Sequence, residues 1–274
     1  MALQWAETPQ ARMQVQGKAL EYACWGPPPD QAPTLVLLHE GLGSVAQWKG
    51  LPQALAKATG FGVFAYSRAG YGASDSVALP RPLDYMTREA EETLGAVMDA
   101  AGIMQAVLLG HSDGATIATI YGGSVSDMRV CGLVLIAPHF FAEASGLDAI
   151  RAVGTAYREG DLRAKLTKYH RDVDVAFHGW HDAWTDPDFT KWNVADVIDH
   201  LRIPVLAIQG RDDPYGTLAQ IDEIETRIYA PVETVILEGC GHAPHLEKPD
   251  VTLAAIHEFC ARLWRLEQQE VAIA

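Results

Sequence analysis

The sequence predicts an α/β fold: a mostly parallel central sheet with helices on both faces, and a helical lid insertion. Three observations carry this reading. Short, unbroken apolar runs recur at 34–38, 62–66, 106–109, 132–137, 205–208 and 234–237. Runs of that length without polar alternation mark strands buried on both faces, as parallel strands are. Helix-like segments near 47–58, 85–101 and 249–267 alternate with them, and such alternation builds a parallel sheet. The third observation is the segment 145–200, which reads as helix where the alternation should continue.

Taken in order, residues 13–25 form a hairpin turning near Gln16-Gly17-Lys18. Its second arm, from Leu20 to Trp25, partly alternates as an edge strand does, and Pro27-Pro28-Pro29 ends it. The runs at 34–38 and 62–66 are the first buried strands. The helix over 85–101 leads into the strand 106–109, and 132–137 follows. The segment 145–200 is rich in aromatic and histidine side chains, including Tyr157, Phe177, Trp180, Trp184 and Trp192. Placed over the carboxyl ends of the strands, it would cover the crevice where open α/β sheets bind ligands. The expected organisation is therefore a core of 1–141 and 201–274 with a cap subdomain of 142–200.

Composition narrows the function. The 274 residues are 49% hydrophobic and 20% charged, which suits one globular domain of the larger kind. With 35 acidic and 21 basic residues the net charge is −14, which repels phosphate backbones and anionic lipid. The expected partner is a small-molecule substrate, with no nucleic acid and no membrane. Cys24, Cys131, Cys240 and Cys260 are scattered without CxxC spacing, as expected of a reduced, cytoplasmic protein. No secretory signal and no apolar stretch of transmembrane length is visible. No sustained heptad decides the oligomeric state.

The most informative motif is Gly110-His111-Ser112-Asp113-Gly114, set between the strand 106–109 and the small residues Ala115-Thr116-Ile117-Ala118. Gly-x-Ser-x-Gly between strand and helix places a serine on a tight turn at a helix N-terminus. There, free N–H groups and the helix dipole favour developing negative charge. A serine hydroxyl becomes a nucleophile when a histidine takes its proton and a carboxylate orients that histidine. Both residue types follow downstream strands. Asp212 and Asp213 come after 205–208, and His242 and His245 come after 234–237.

These motifs, in the chain order Ser, Asp, His, resemble the α/β-hydrolase superfamily over essentially the whole chain, in its serine esterase and carbon–carbon hydrolase-like branch. The family's Gly-x-x-Asp and Gly-x-Gly-His patterns favour Asp213 over Asp212 and His242 over His245. Leu38-His39-Glu40-Gly41-Leu42-Gly43 resembles its oxyanion loop, and Arg68-Ala69-Gly70-Tyr71-Gly72-Ala73-Ser74 resembles its Arg-Gly-x-Gly-x-Ser loop. The resemblance implies oxyanion donors at the amides of Asp113 and of Gly41 or Leu42. Glu40 departs from the family, which has glycine after the histidine. The Asp113 side chain is expected to face solvent at the helix start. Glu40, His139, Phe140, Trp180 and Trp184 are the candidate pocket residues.

The expected activity is hydrolysis of a small or medium carboxylic ester or lactone through an acyl-enzyme, without cofactor or metal. The family's epoxide- and halide-cleaving members carry aspartate at the elbow, which this chain lacks. The alternative is a carbon–carbon hydrolase of aromatic catabolism, whose diketo acid substrate needs a cation; Arg151, Arg158, Arg163 and Arg171 are candidates. Against it, residues 142–200 hold eleven carboxylates and seven Lys and Arg. Thioesterase or acyltransferase chemistry uses the same residues. A hydrolase-fold ligand receptor would keep the fold and lose turnover. Gly41-Leu42-Gly43-Ser44-Val45-Ala46, with Arg68 after the next strand, also imitates an NADP-binding start, though that reading leaves His39 and Ser112 without a role. Two histidine pairs at i, i+3 spacing, His178 with His181 and His242 with His245, lack a compelling third metal ligand.

Overall fold

A computed structural model describes residues 3–5 and 11–273. Its eight strands are β1 (Ala11–Val15), β2 (Lys18–Trp25), β3 (Thr34–Leu38), β4 (Gly62–Tyr66), β5 (Ala106–His111), β6 (Val130–Ile136), β7 (Val205–Gly210) and β8 (Val232–Leu237). They form one sheet in the order β1-β2-β4-β3-β5-β6-β7-β8. The β1–β2 and β2–β4 pairs are antiparallel and all the others are parallel. The apolar runs of the sequence are thus the parallel strands, and the inner ones send alternate residues into two separate cores; β8, expected to be buried on both faces, is instead a half-exposed edge strand. From β3, Leu35 and Leu37 pack on one face, with Leu55 and Ile256. Val36 and Leu38 pack on the other, with Leu94 and Ile117.

Helices α1 (Leu51–Thr59) and α10 (Pro249–Ile273) contribute Leu55 and Ile256 to the first face. The second is covered by α2 (Tyr85–Arg88), α3 (Gly95–Ala101) and α4 (Asp113–Ser124). Where the sequence predicts one helix over 85–101, the helical run is continuous but its middle, Glu89–Leu94, is a π-helical turn. The hairpin turns at Gln16 and Gly17, both at positive φ. Its second arm is not an edge: β2 pairs on both sides and is buried from Ala19 to Cys24, so β1 takes the edge instead.

Between β6 and β7 the chain forms α5 (Ala144–Glu159), α6 (Leu162–Leu166) and α7 (Val173–Thr185), then two short 3₁₀ turns. The base of this excursion is pinned: Ala142 N–H donates to Trp192 C=O at 3.0 Å and Val194 N–H to Phe140 C=O at 2.7 Å. It has a small core of its own around Tyr157, Leu166, Val173 and Phe177. Leu147, Ile150, Trp180 and Trp184 instead join the main core beneath. After β7 come α8 (Ala219–Arg227) and, beyond β8, α9 (Pro244–Glu247). Among the described residues no helix is long and apolar enough to cross a membrane.

Candidate active site

Ser112 sits between β5 and α4 at φ 53°, ψ −119°, a conformation that side-chain-bearing residues rarely adopt. The flanking glycines let main chain approach where a side chain could not. A Cβ on Gly114 would lie 1.9 Å from Leu38 C=O, and one on Gly110 2.2 Å from Gly114 C=O. The turn is therefore wedged against β3, and the loop after β3 lies beside the serine. Ser112, Gly41, Asp113 and His242 all line one cavity of about 210 Å³.

His242 comes from the loop after β8, and Asp213 from the loop after the neighbouring β7. His242 Nδ1 lies 2.7 Å from Asp213 Oδ2. Since a carboxylate accepts, Nδ1 carries the proton and Nε2 is left as the basic nitrogen. Gln209 Nε2 also donates to Asp213 Oδ2, at 2.9 Å, and the Tyr215 N–H donates to Oδ1 at 2.8 Å. Burial raises the Asp213 pKa, but the hydrogen bonds from His242 and Tyr215 outweigh it and hold the carboxyl below the usual range. Of the two adjacent aspartates, Asp213 is buried and Asp212 is exposed. His245 packs between Trp48 and His111, and burial pushes its pKa down to about 4.

The loop after β3 is held by a buried arginine. Arg68 Nη1 donates to His39 C=O at 2.5 Å and Nη2 to Glu40 C=O at 3.1 Å. The Arg68 N–H donates to His39 Nε2, so His39 Nδ1–H donates to Glu40 C=O at 2.7 Å. This inward engagement leaves Arg68 no role in holding a nucleotide phosphate. Glu40 turns back on its own loop, and its Oε2 accepts from the Leu42 N–H. That engages the Leu42 amide, one of the two donors weighed for this loop. The Gly41 and Asp113 N–H groups have no hydrogen-bond partner among the described residues. Gly41 is also covered closely: a Cβ there would lie 2.1 Å from Trp180 Nε1.

The Asp113 side chain departs from expectation. It is fully buried rather than at the surface, 3.8 Å from Arg68 Nη2, and accepts from the Tyr85 hydroxyl. Trp184 Nε1–H donates in turn to the Tyr85 oxygen at 3.0 Å. A chain of hydrogen bonds thus runs from α7 through α2 to the first residue of α4. Burial raises the Asp113 pKa, and Arg68 and Tyr85 oppose that.

His139, Trp180, Trp184 and Glu40 line the Ser112 cavity together with Ile150, Val153, Leu162 and Tyr215. Burial pushes the His139 pKa down to about 3, which keeps its ring neutral. Phe140 does not line this cavity. Its side chain is fully buried in the main core, and its N–H is fixed by Gln220 Oε1 at 2.7 Å. The apolar run of β6 ends at Ile136, and the chain dives back into the core before the excursion begins. No lysine or arginine lines the cavity. Arg151, Arg163 and Arg171 pair instead with Asp148, Asp174 and Asp75 at the surface. His178 and His181 both face Asp182. Sequence reasoning missed Gln209, Tyr85 and Tyr215. Only Tyr215 carried a signal, sitting two residues after Asp213 in a strand-end loop.

The profile described as Alpha/beta hydrolase family matches residues 35–255. A proline iminopeptidase of Lactobacillus helveticus is 24% identical over 270 residues, covering 84% of this chain and 90% of that protein. Epoxide hydrolase B of Mycobacterium tuberculosis is 31% identical over 166 residues, covering 61% of this chain and 43% of that one. The fold resembles the enol-lactonase structure from Burkholderia xenovorans with a TM-score of 0.70 at 21% identity, over 92% of this chain and 100% of that one. With the profile spanning most of its length, the chain belongs to the alpha/beta hydrolase family.

Proposed function

We propose that this protein is a serine hydrolase that cleaves a small or medium carboxylic ester or lactone through an acyl-enzyme. The observation that carries the reading is the 2.7 Å contact of His242 Nδ1 with Asp213, beside a serine held at left-handed φ in the same site. In this reading Ser112 Oγ attacks the carbonyl carbon, and its proton passes to His242 Nε2. Asp213 stabilises the imidazolium and fixes its tautomer. The oxyanion lies between the Gly41 and Asp113 N–H groups, where each donor typically contributes about 3 kcal/mol to the transition state. His242 then returns the proton to the departing oxygen. Water attacks the acyl carbon as His242 takes its proton, and that proton then passes to Ser112 Oγ as the acyl–oxygen bond breaks and the acid leaves.

The helices between β6 and β7 act as the cap of this site, supplying its apolar wall through Ile150, Val153, Leu162, Trp180 and Trp184. The wall lacks a cation, which favours an ester or lactone without negative charge over the diketo acid of a carbon–carbon hydrolase. Serine at the elbow separates this reading from epoxide opening, and a small apolar cavity fits a short acyl chain. A fluorophosphonate probe tests the nucleophile. The reading expects one phosphonyl group added to the peptide containing Ser112, and no labelling of Ser112→Ala. Labelling elsewhere, or equal labelling of the variant, overturns it.

A further inference from the structure

We propose that Glu40 selects esters that carry an ammonium group on the leaving-group side. The inference rests on the serine-hydrolase reading and deepens it by naming a substrate class.

Glu40 lies at the partition between two cavities. One is the Ser112 cavity, and the other, of about 350 Å³, opens beside Trp48 and His245. Its Oε2 is engaged by the Leu42 N–H, while Oε1 has no hydrogen-bond partner among the described residues. Oε1 is thus an open acceptor at the cavity wall, available to a ligand donor. The Ser112 cavity offers no lysine or arginine; beside Ser112, His242 and Tyr215, its polar lining is Glu40, neutral His139 and Asp113, whose carboxylate is paired with Arg68 and Tyr85. The nearby cation Arg68 is turned behind the loop toward the His39 and Glu40 carbonyls. An anionic substrate therefore meets the Glu40 carboxylate with no cation in the wall, whereas an ammonium meets that carboxylate and the rings of Trp180, Trp184 and Tyr215. The net charge of −14 also draws cations toward the molecule.

The side of the scissile bond follows from His242. That residue hands its proton to the departing oxygen, so the wall next to it receives the leaving group. The Tyr215 ring lies 4.8 Å from the His242 ring, and Glu40 lines the same cavity as both residues. A bound ammonium favours the charged carboxylate against the burial that raises its pKa.

The test uses two esters of one shape, 2-(dimethylamino)ethyl butyrate and 3-methylbutyl butyrate, which differ by an N–H⁺ in place of a C–H. The wild type is expected to prefer the ammonium ester by at least about tenfold in kcat/KM, and Glu40→Gln to bring that ratio close to one. The glutamine amide oxygen still accepts from Leu42 N–H, so the ratio reports charge rather than loop collapse. Calorimetry on Ser112→Ala reads the same discrimination without turnover, and adding Glu40→Gln should abolish it. A wild-type ratio near one, or a ratio unchanged by Glu40→Gln, overturns the proposal. Absent turnover with a Glu40-dependent binding preference intact overturns the serine-hydrolase reading and upholds the ammonium site.

Discussion

Asp213 stays ionised inside the fold because four donors reach it: His242 Nδ1, Gln209 Nε2 and the N–H groups of Tyr215 and Gly216. Replacing its carboxylate by an amide leaves the shape and removes the charge that fixes the histidine tautomer. Asp213→Asn is expected to lower kcat by about 10⁴ in an ester hydrolysis assay, while Asp212→Asn stays within about twofold. Equal losses for the two variants would contradict the assignment. The residues of the candidate site were legible in the sequence, because Ser112, Asp213 and His242 each follow a strand. The Asp113 side chain was not. Its partners Tyr85 and Arg68 lie far away in the chain, and no local pattern reports a buried polar contact across elements.

At the scale of elements, the inner parallel strands were legible because burial on both faces leaves an unbroken apolar run, whereas β8 carries such a run at a half-exposed edge. The hairpin arm β2 was misplaced because partial alternation marks an edge only when one face is solvated, and here both are covered. The coupling between the β6–β7 helices and the elbow was invisible in sequence. It depends on Trp184 reaching Tyr85 and Tyr85 reaching Asp113, which joins three helices through side chains alone. Tyr85→Phe removes the donor to a fully buried carboxylate, so chemical denaturation is expected to show a loss of about 1–3 kcal/mol. An unchanged midpoint would mean that the contact contributes nothing to holding α7 against α4.

Across the whole molecule, buried histidines set the response to acid. His139 and His245 have pKa values lowered by burial to about 3 and about 4, below the ordinary value of about 6.5. Between those limits the unfolded chain binds protons that the folded chain refuses, so stability falls as pH falls from about 6.5 toward 3. Each such group contributes a slope of up to about 1.4 kcal/mol per pH unit. Thermal melting followed from pH 7 to pH 4 should show a steady fall in Tm, shallower in His245→Gln. A flat profile would contradict the buried neutral state of these rings. The closing of Arg68 into the interior was not foreseeable from charge counts.

The central claim is that Ser112 is the nucleophile. The most direct measurement is hydrolysis of a nitrophenyl ester series of increasing acyl length by wild type and Ser112→Ala side by side. The account predicts turnover by the wild type, fastest for short chains, and a loss of at least about a thousandfold in the variant. Equal activity in the two proteins would contradict it.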